Sequence, residues 1–191
     1  MMSKNINDKM ILFDGDDSLF KKYVKNCDVY FEYGVGNSTR YLINNTKAKI
    51  VAVDTDKKWI NTIDVLRRKE DIIINWVDLG ELENWGRPKS YIHRDKFFDY
   101  ISGVWNFNLK ADLILIDGRF RVACFLYSIM CADEGTIIFF DDYVDRGYYH
   151  IVEDIIPKSD CCGRQAMFRV PNNFNRELAK ELLNKFVYVF D

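Results

Sequence analysis

The sequence predicts an α/β fold, a three-layer sandwich in which a mostly parallel sheet is covered by helices on both faces. Three observations point to it. Short apolar runs alternate with amphipathic stretches of helical spacing, the pattern of strands joined by helical crossovers. The runs at 28–33, 49–54, 72–77, 113–116 and 136–140 are nearly all apolar rather than alternating, as strands buried on both faces must be. The first run also opens directly into a two-glycine turn, Tyr33-Gly34-Val35-Gly36-Asn37, followed by a helical segment.

The elements follow in order. Residues 17–25 read as an amphipathic helix with Leu19, Phe20 and Tyr23 on one side, before the first strand at 28–33. A helix at 38–44 follows the glycine turn, and Trp59, Ile63 and Leu66 mark a second one after the strand at 49–54. The stretch 79–91, with Trp85, Gly86 and Pro88, is long and irregular, which predicts a lid, and His93-Arg94 is expected at a helix start. Between the fourth and fifth strands, Val122, Cys124, Phe125, Leu126, Ile129 and Met130 predict a helix apolar on most sides and therefore buried, closed by Glu134-Gly135. Beyond it, 149–156 reads as helical and 159–170 as two short strands turning at Cys162-Gly163, a C-terminal hairpin. Pro171-Asn172-Asn173 predicts a break and an N-cap before a helix carrying Phe174, Leu178, Leu182 and Phe186 on one face.

With 191 residues the chain suits one domain, 1–191. A formal net charge of −2, from 27 basic and 29 acidic residues spread along the chain, gives no nucleic-acid footprint. Cys27, Cys124, Cys131, Cys161 and Cys162 form an odd set without metal-type spacing, which predicts a reducing, cytoplasmic setting. The segment from Met1 to Lys9 lacks the apolar core of a secretion signal, and no run reaches membrane-spanning length. The expected partner is a small molecule, with self-association into a homo-oligomer left open.

Acids stand at the ends of the predicted strands: Glu32, Asp54, Asp78 and Asp117, with Asp141-Asp142 after the fifth. In an open parallel sheet, ligands bind beyond the carboxyl ends of the strands where strand order reverses. These carboxylates are therefore expected to converge on one rim. Glu32 beside the glycine turn would repel a pyrophosphate and suits a ligand with an ammonium or sulfonium group.

The run from Val29 to Thr39 resembles the first motif of the class I S-adenosylmethionine-dependent methyltransferases. Val77-Asp78-Leu79-Gly80, Trp85-Gly86-Arg87-Pro88, the stretch from Ile116 to Cys124, Asp142-Tyr143 and Tyr149-His150 are similar to small bacterial members of that class across nearly the whole chain. The resemblance implies a Rossmann-like sheet ending in an antiparallel hairpin strand, with S-adenosyl-L-methionine as cofactor. It implies cofactor binding by Glu32, Tyr33, Gly34, Gly36, Ser38, Thr39, Asp54, Asp78, Leu79 and Asp117. Within that set, Glu32 is placed near the ammonium, Asp54 on the ribose hydroxyls, Asp78 on the adenine amine with Leu79 against the ring, and Asp117 facing the sulfonium.

Methyl transfer to an oxygen calls for positioning and for a base, for which Asp117, Asp142 and His150 are the catalytic candidates. The acceptor is expected to be small or saccharide-like. Arg119 is a candidate for holding an acceptor carboxylate or phosphate, and Tyr143, with Tyr148, Tyr149, Trp85 and Trp105, for lining an aromatic wall. Arg119 and Arg121, two apart on a helix, do not share a face, so at most one is expected to point into the site and the other to pair with a surface acid. Asp117, Asp141 and Asp142 are similar to the Mg²⁺-binding acids of sugar and macrolide O-methyltransferases. Arg119 and Arg121 stand where those enzymes carry further acids or hydroxyls and would compete with a cation, so no metal is expected. Two rivals are a methyltransferase-like module kept for binding or assembly and an NAD-dependent oxidoreductase. The latter lacks its third fingerprint glycine, replaced here by Thr39.

Overall fold

The computed structural model describes residues 10–64 and 71–191. Its sheet has seven strands: β1 (Val29–Tyr33), β2 (Lys49–Asp54), β3 (Ile72–Trp76), β4 (Leu113–Ile116), β5 (Ile137–Phe140), β6 (Asp160–Cys162) and β7 (Gln165–Arg169). They lie in the order β3-β2-β1-β4-β5-β7-β6. The first five are parallel, and β7 pairs antiparallel with both β5 and β6. The expected C-terminal hairpin thus inserts its second strand against the parallel sheet. Chain order reverses between β1 and β4, where Tyr33 lies in register with Ile116.

Among the described residues six α-helices cover the sheet: α1 (Ser18–Val24), α2 (Asn37–Asn45), α3 (Lys57–Asp64), α4 (Phe97–Ile101), α5 (Arg121–Cys131) and α6 (Arg176–Phe186). Because strand side chains alternate, β1 sends Tyr30 into a core with Phe20 and Val24 of α1, Tyr41 and Leu42 of α2, and Ile63 of α3. Phe31 and Tyr33 point the other way, into the core of α4, α5 and α6. That division creates the three layers. Helix α5 is buried on nearly every side, as its composition predicts, because it lies between the sheet and α6.

Some boundaries differ from the sequence reading. The stretch expected to be helical at 149–156 is a 3-10 segment, Gly147–Asp154. Helix α6 is capped by Asn175, whose side chain accepts the Leu178 N–H at 3.0 Å, rather than by Asn172 or Asn173. The region 79–91 is tied down: Leu82 bridges Pro88, and Thr55 Oγ1 donates to the Gly86 carbonyl at 2.7 Å. His93 does stand at a helix start, capping the 3-10 turn Arg94–Lys96 that runs into α4. Leu66 and the segment from Met1 to Lys9 lie outside the described residues.

Candidate active site

A cleft of about 540 Å³ opens at the carboxyl ends of β1, β2 and β4, at the reversal of strand order. That volume lies within the usual range for small-molecule sites. Gly34 and Gly36 form its floor. Gly34 has φ +95°, and a Cβ there would come within 2.9 Å of the Asp117 carbonyl and the Gly118 backbone, so only glycine lets β1 and β4 close at the rim. A Cβ on Gly36 would meet nothing within 4 Å, so the space above it is open to a ligand.

Asp54 ends β2 and lines the cleft. Its Oδ2 accepts the Val35 N–H and its Oδ1 the Asp56 N–H, each at 2.7 Å, so the carboxylate fixes both the glycine turn and its own loop. Burial pushes its pKa up to about 6, although those backbone bonds oppose the rise. Each oxygen keeps a second lone pair for a ligand.

Glu32 does not reach the cleft. It is one residue short of the end of β1 and shares the face of Tyr30, so it projects into the α2 layer instead of over the rim. There its Oε1 accepts from Ser38 Oγ and, at 3.1 Å, from the Tyr30 hydroxyl, while Oε2 accepts from Thr39 Oγ1 at 2.5 Å. Ser38 and Thr39 are consequently turned inward to Glu32 and away from the cleft. Tyr33 projects to the opposite layer, where its hydroxyl donates to the Ile101 carbonyl at 2.8 Å.

Complete burial pushes the Glu32 pKa from the ordinary 4.5 up to about 7, against the lowering effect of its three hydroxyl donors. A carboxyl raised in the folded state holds a proton that the unfolded chain releases. Its contribution to stability is full below about pH 4.5 and is lost as pH rises through about 7. Between those values the fold is expected to lose roughly 3 kcal/mol from this group. Urea denaturation of wild type and Glu32→Gln across pH 4.5 to 8 checks this, since the amide should flatten that part of the profile. An unchanged slope would assign the pH dependence to other groups.

Asp78 is exposed, and its Oδ1 accepts the N–H of Gly80 at 3.0 Å, capping its own turn. Leu79 is buried in the α4–α6 core. Neither lines the cleft. Trp59 and Trp85 wall that end instead. Trp85 is 76% exposed with φ +62°, a left-handed conformation costly for a bulky residue. Asp142 and Phe120 also have positive φ. These are the non-glycine residues of that kind among the described ones, and all are at the cleft or between two residues that line it, the clustering expected where strain serves a site.

Asp117 follows β4 directly and lines the cleft, its side chain 29% exposed. With Asp141 and Asp142 it forms a group of carboxylates whose oxygens lie within 4.8 Å of one another. Arginines thread the group. Arg121, 3% exposed, sits 3.1 Å from Asp117 Oδ1 and 3.2 Å from Asp142 Oδ2, and donates to the carbonyls of Gly118 and Asp141. Arg164 contacts Asp141 Oδ2 at 2.5 Å, Asp142 Oδ1 at 3.1 Å and Asp14 at 3.1 Å, while Arg146 holds Asp142 Oδ2 at 2.7 Å. A divalent ion does not fit this set, because guanidinium groups already supply the positive charge between its oxygens. Burial first, and then the Asp141 charge, hold the Asp117 pKa well above the usual carboxylate range despite Arg121.

Both Arg119 and Arg121 line the cleft, contrary to the helical-face expectation. The reason is local: α5 begins at Arg121, and Phe120 before it is left-handed at φ +54°, so Arg119 belongs to the turn and not to the helix. Two other expectations are corrected. Tyr143 is buried against Phe140 and Phe168, its hydroxyl bound to Glu153 at 2.8 Å, and it does not line the cleft. His150 is exposed outside the cleft, its ring against Tyr143 and its Nε2 3.1 Å from the Tyr143 carbonyl.

Several lining residues had not been singled out: Asp14, Thr55, Tyr100, Arg146 and Arg164. Arg146 was the accessible one, since it follows Asp142 by four residues and an acid pair after a strand calls for a cation. The wall formed by Ile11, Leu12, Phe13 and Asp14 comes from the approach to α1 and had no such local signal.

No family model matches the chain, and no curated protein matches it. Among solved structures it is similar to a methyltransferase-like protein from Silicibacter pomeroyi, with 26% identity and a TM-score of 0.79 over 90% of this chain and 93% of that one. It is also similar to cofactor-bound Rv0187 from MTB, with 15% identity and a TM-score of 0.54 over 81% of this chain and 78% of the other. The first likeness spans nearly the whole of both chains. The chain therefore has the fold of the class I S-adenosylmethionine-dependent methyltransferases.

Proposed function

We propose that the chain transfers a methyl group from S-adenosylmethionine to an oxygen of a small or saccharide-like acceptor. The observation that carries this reading is the meeting of the glycine turn, the Asp54 carboxylate and Asp117 in one cleft at the sheet reversal. S-adenosylmethionine, when bound, supplies an electrophilic methyl group on a sulfonium centre. Gly34 and Gly36 leave bare backbone beneath it, and Asp54 accepts hydrogen bonds from the ribose hydroxyls. Trp59 and Trp85, which line the same cleft as Asp54, offer planar faces to the adenine in place of Asp78 and Leu79.

Glu32 is a positioning residue in this reading: through Ser38 and Thr39 it holds the start of α2 and hence the glycine turn. Asp117, which lines the cleft and whose raised pKa makes it a stronger base than an ordinary carboxylate, is the group placed to take the proton of an acceptor hydroxyl. Asp142, clasped by Arg121, Arg146 and Arg164, orients that pocket.

Calorimetry with S-adenosylmethionine and with NADH tests the reading. Binding of the first alone is expected. Binding of neither would favour an assembly module, and binding of NADH alone would replace the methyltransferase by an oxidoreductase.

A further inference from the structure

We propose that Arg119 anchors an anionic group, a carboxylate or phosphate monoester, on the methyl acceptor, and that Phe190-Asp191 of the same chain fills that subsite until the acceptor displaces it. Naming the anion as part of the acceptor rests on the methyltransferase reading; the subsite itself does not.

Four arginines line the cleft. Arg121, Arg146 and Arg164 each have a carboxylate within ion-pair distance. Among the described residues Arg119 has no side-chain carboxylate at that distance, and its Nη1 donates to the main-chain oxygen of Asp191. Its Nε is buried without a partner. Arginine offers five donors in a rigid fork shaped for carboxylate or phosphate, and a single oxygen uses little of it.

The occupant is equally mismatched. Asp191 Oδ1 accepts the Arg121 N–H at 3.3 Å, while Oδ2 is buried with no partner. Unpartnered buried polar atoms are few in folded proteins. Among the described residues, the side-chain atoms of this kind are Arg119 Nε and Asp191 Oδ2, and both belong to this one contact. An external anion on Arg119 would satisfy the first and return the second to water.

The segment is held chiefly by one ring. Phe190 lies 4.7 Å from Tyr91 and 5.5 Å from Phe97, and Arg87 donates to its carbonyl at 3.2 Å. Tyr188 and Val189 before it are exposed. Release breaks no strand pairing but uncovers the Phe97 and Phe120 rings against which Phe190 packs, and because Arg87 lies in the loop at 79–91, it also frees one tether of that loop.

The test uses the full chain, titrated separately with inorganic phosphate and with acetate while the backbone N–H resonances of Gly118 and Arg121, which flank the subsite, are followed by NMR. The anion that binds more tightly identifies the group recognised. The double variant Phe190→Ala/Asp191→Ala is expected to tighten binding about tenfold, and adding Arg119→Gln to it should abolish binding. Equal affinity before and after release, or binding that survives Arg119→Gln, overturns the proposal. S-adenosylhomocysteine binding, measured by calorimetry in each variant, is expected to persist and shows that the cleft remains folded. Its absence in wild type would overturn the assignment of the anion to a methyl acceptor, whereas the phosphate and acetate titrations judge the subsite independently.

Discussion

Replacing Asp54 by alanine is expected to lower affinity for S-adenosylmethionine by at least a hundredfold, about 3 kcal/mol, from two charge-assisted hydrogen bonds. The side chain does two things at once. It presents free lone pairs to the cleft, and it holds the Val35 and Asp56 N–H groups. Alanine therefore loosens the glycine turn as well, with an expected stability loss of about 1–3 kcal/mol for the orphaned donors. Asp54→Asn separates the two effects, because the amide oxygen can still accept one backbone N–H while the charge is gone. Calorimetry and urea denaturation on both variants check this. If affinity falls less than threefold in Asp54→Ala, the ribose assignment is wrong.

The same residue predicts a pH effect on binding. With a pKa of about 6 in the free protein, Asp54 loses its charge as the medium becomes more acidic. Affinity should be highest above about pH 7 and should decline below 6. Asp54→Asn should lack that decline.

The largest effect on stability is expected at Arg121. Its guanidinium is almost fully enclosed and lies between Asp117 and Asp142. Arg121→Met keeps much of the volume but leaves clustered carboxylates short of one buried positive charge. Breaking a buried pair in this way typically costs about 3–5 kcal/mol. Denaturation at pH 7.5 should show a loss of that size, and lowering the pH should recover part of it as the acids take up protons. A loss below about 1 kcal/mol would mean that Arg146 and Arg164 compensate the acids unaided. Arg121→Lys should fall between, since it keeps the charge but not the fork that reaches the Gly118 and Asp141 carbonyls.

Much of the fold was legible because its signals are local. The run Lys49 to Asp54 is a buried strand wherever it is placed, and Gly34 at positive φ marks a turn that only one residue type makes readily. The segment 149–156 shows the limit. Its apolar spacing suits a helix, but packing against α5 and β5 draws it into a tighter 3-10 turn. The cap of α6 moved for a similar reason: several asparagines were available, and only the geometry at Asn175 brings its oxygen to a free N–H.

By itself the sequence determined an α/β sandwich with acids near the strand ends and a glycine turn at its first crossover, because periodicity and turn chemistry act over a few residues. Only the tertiary structure decided which carboxylates face a ligand. One position along a strand turns a side chain through the sheet, so Glu32 serves the helix layer while Asp54, at the very end of its strand, serves the cleft. Only the tertiary structure, too, brought Arg164 to Asp14 across 150 positions and Asp191 to Arg119 across 72. Contacts of that separation depend on how whole layers pack, which no short stretch of sequence encodes.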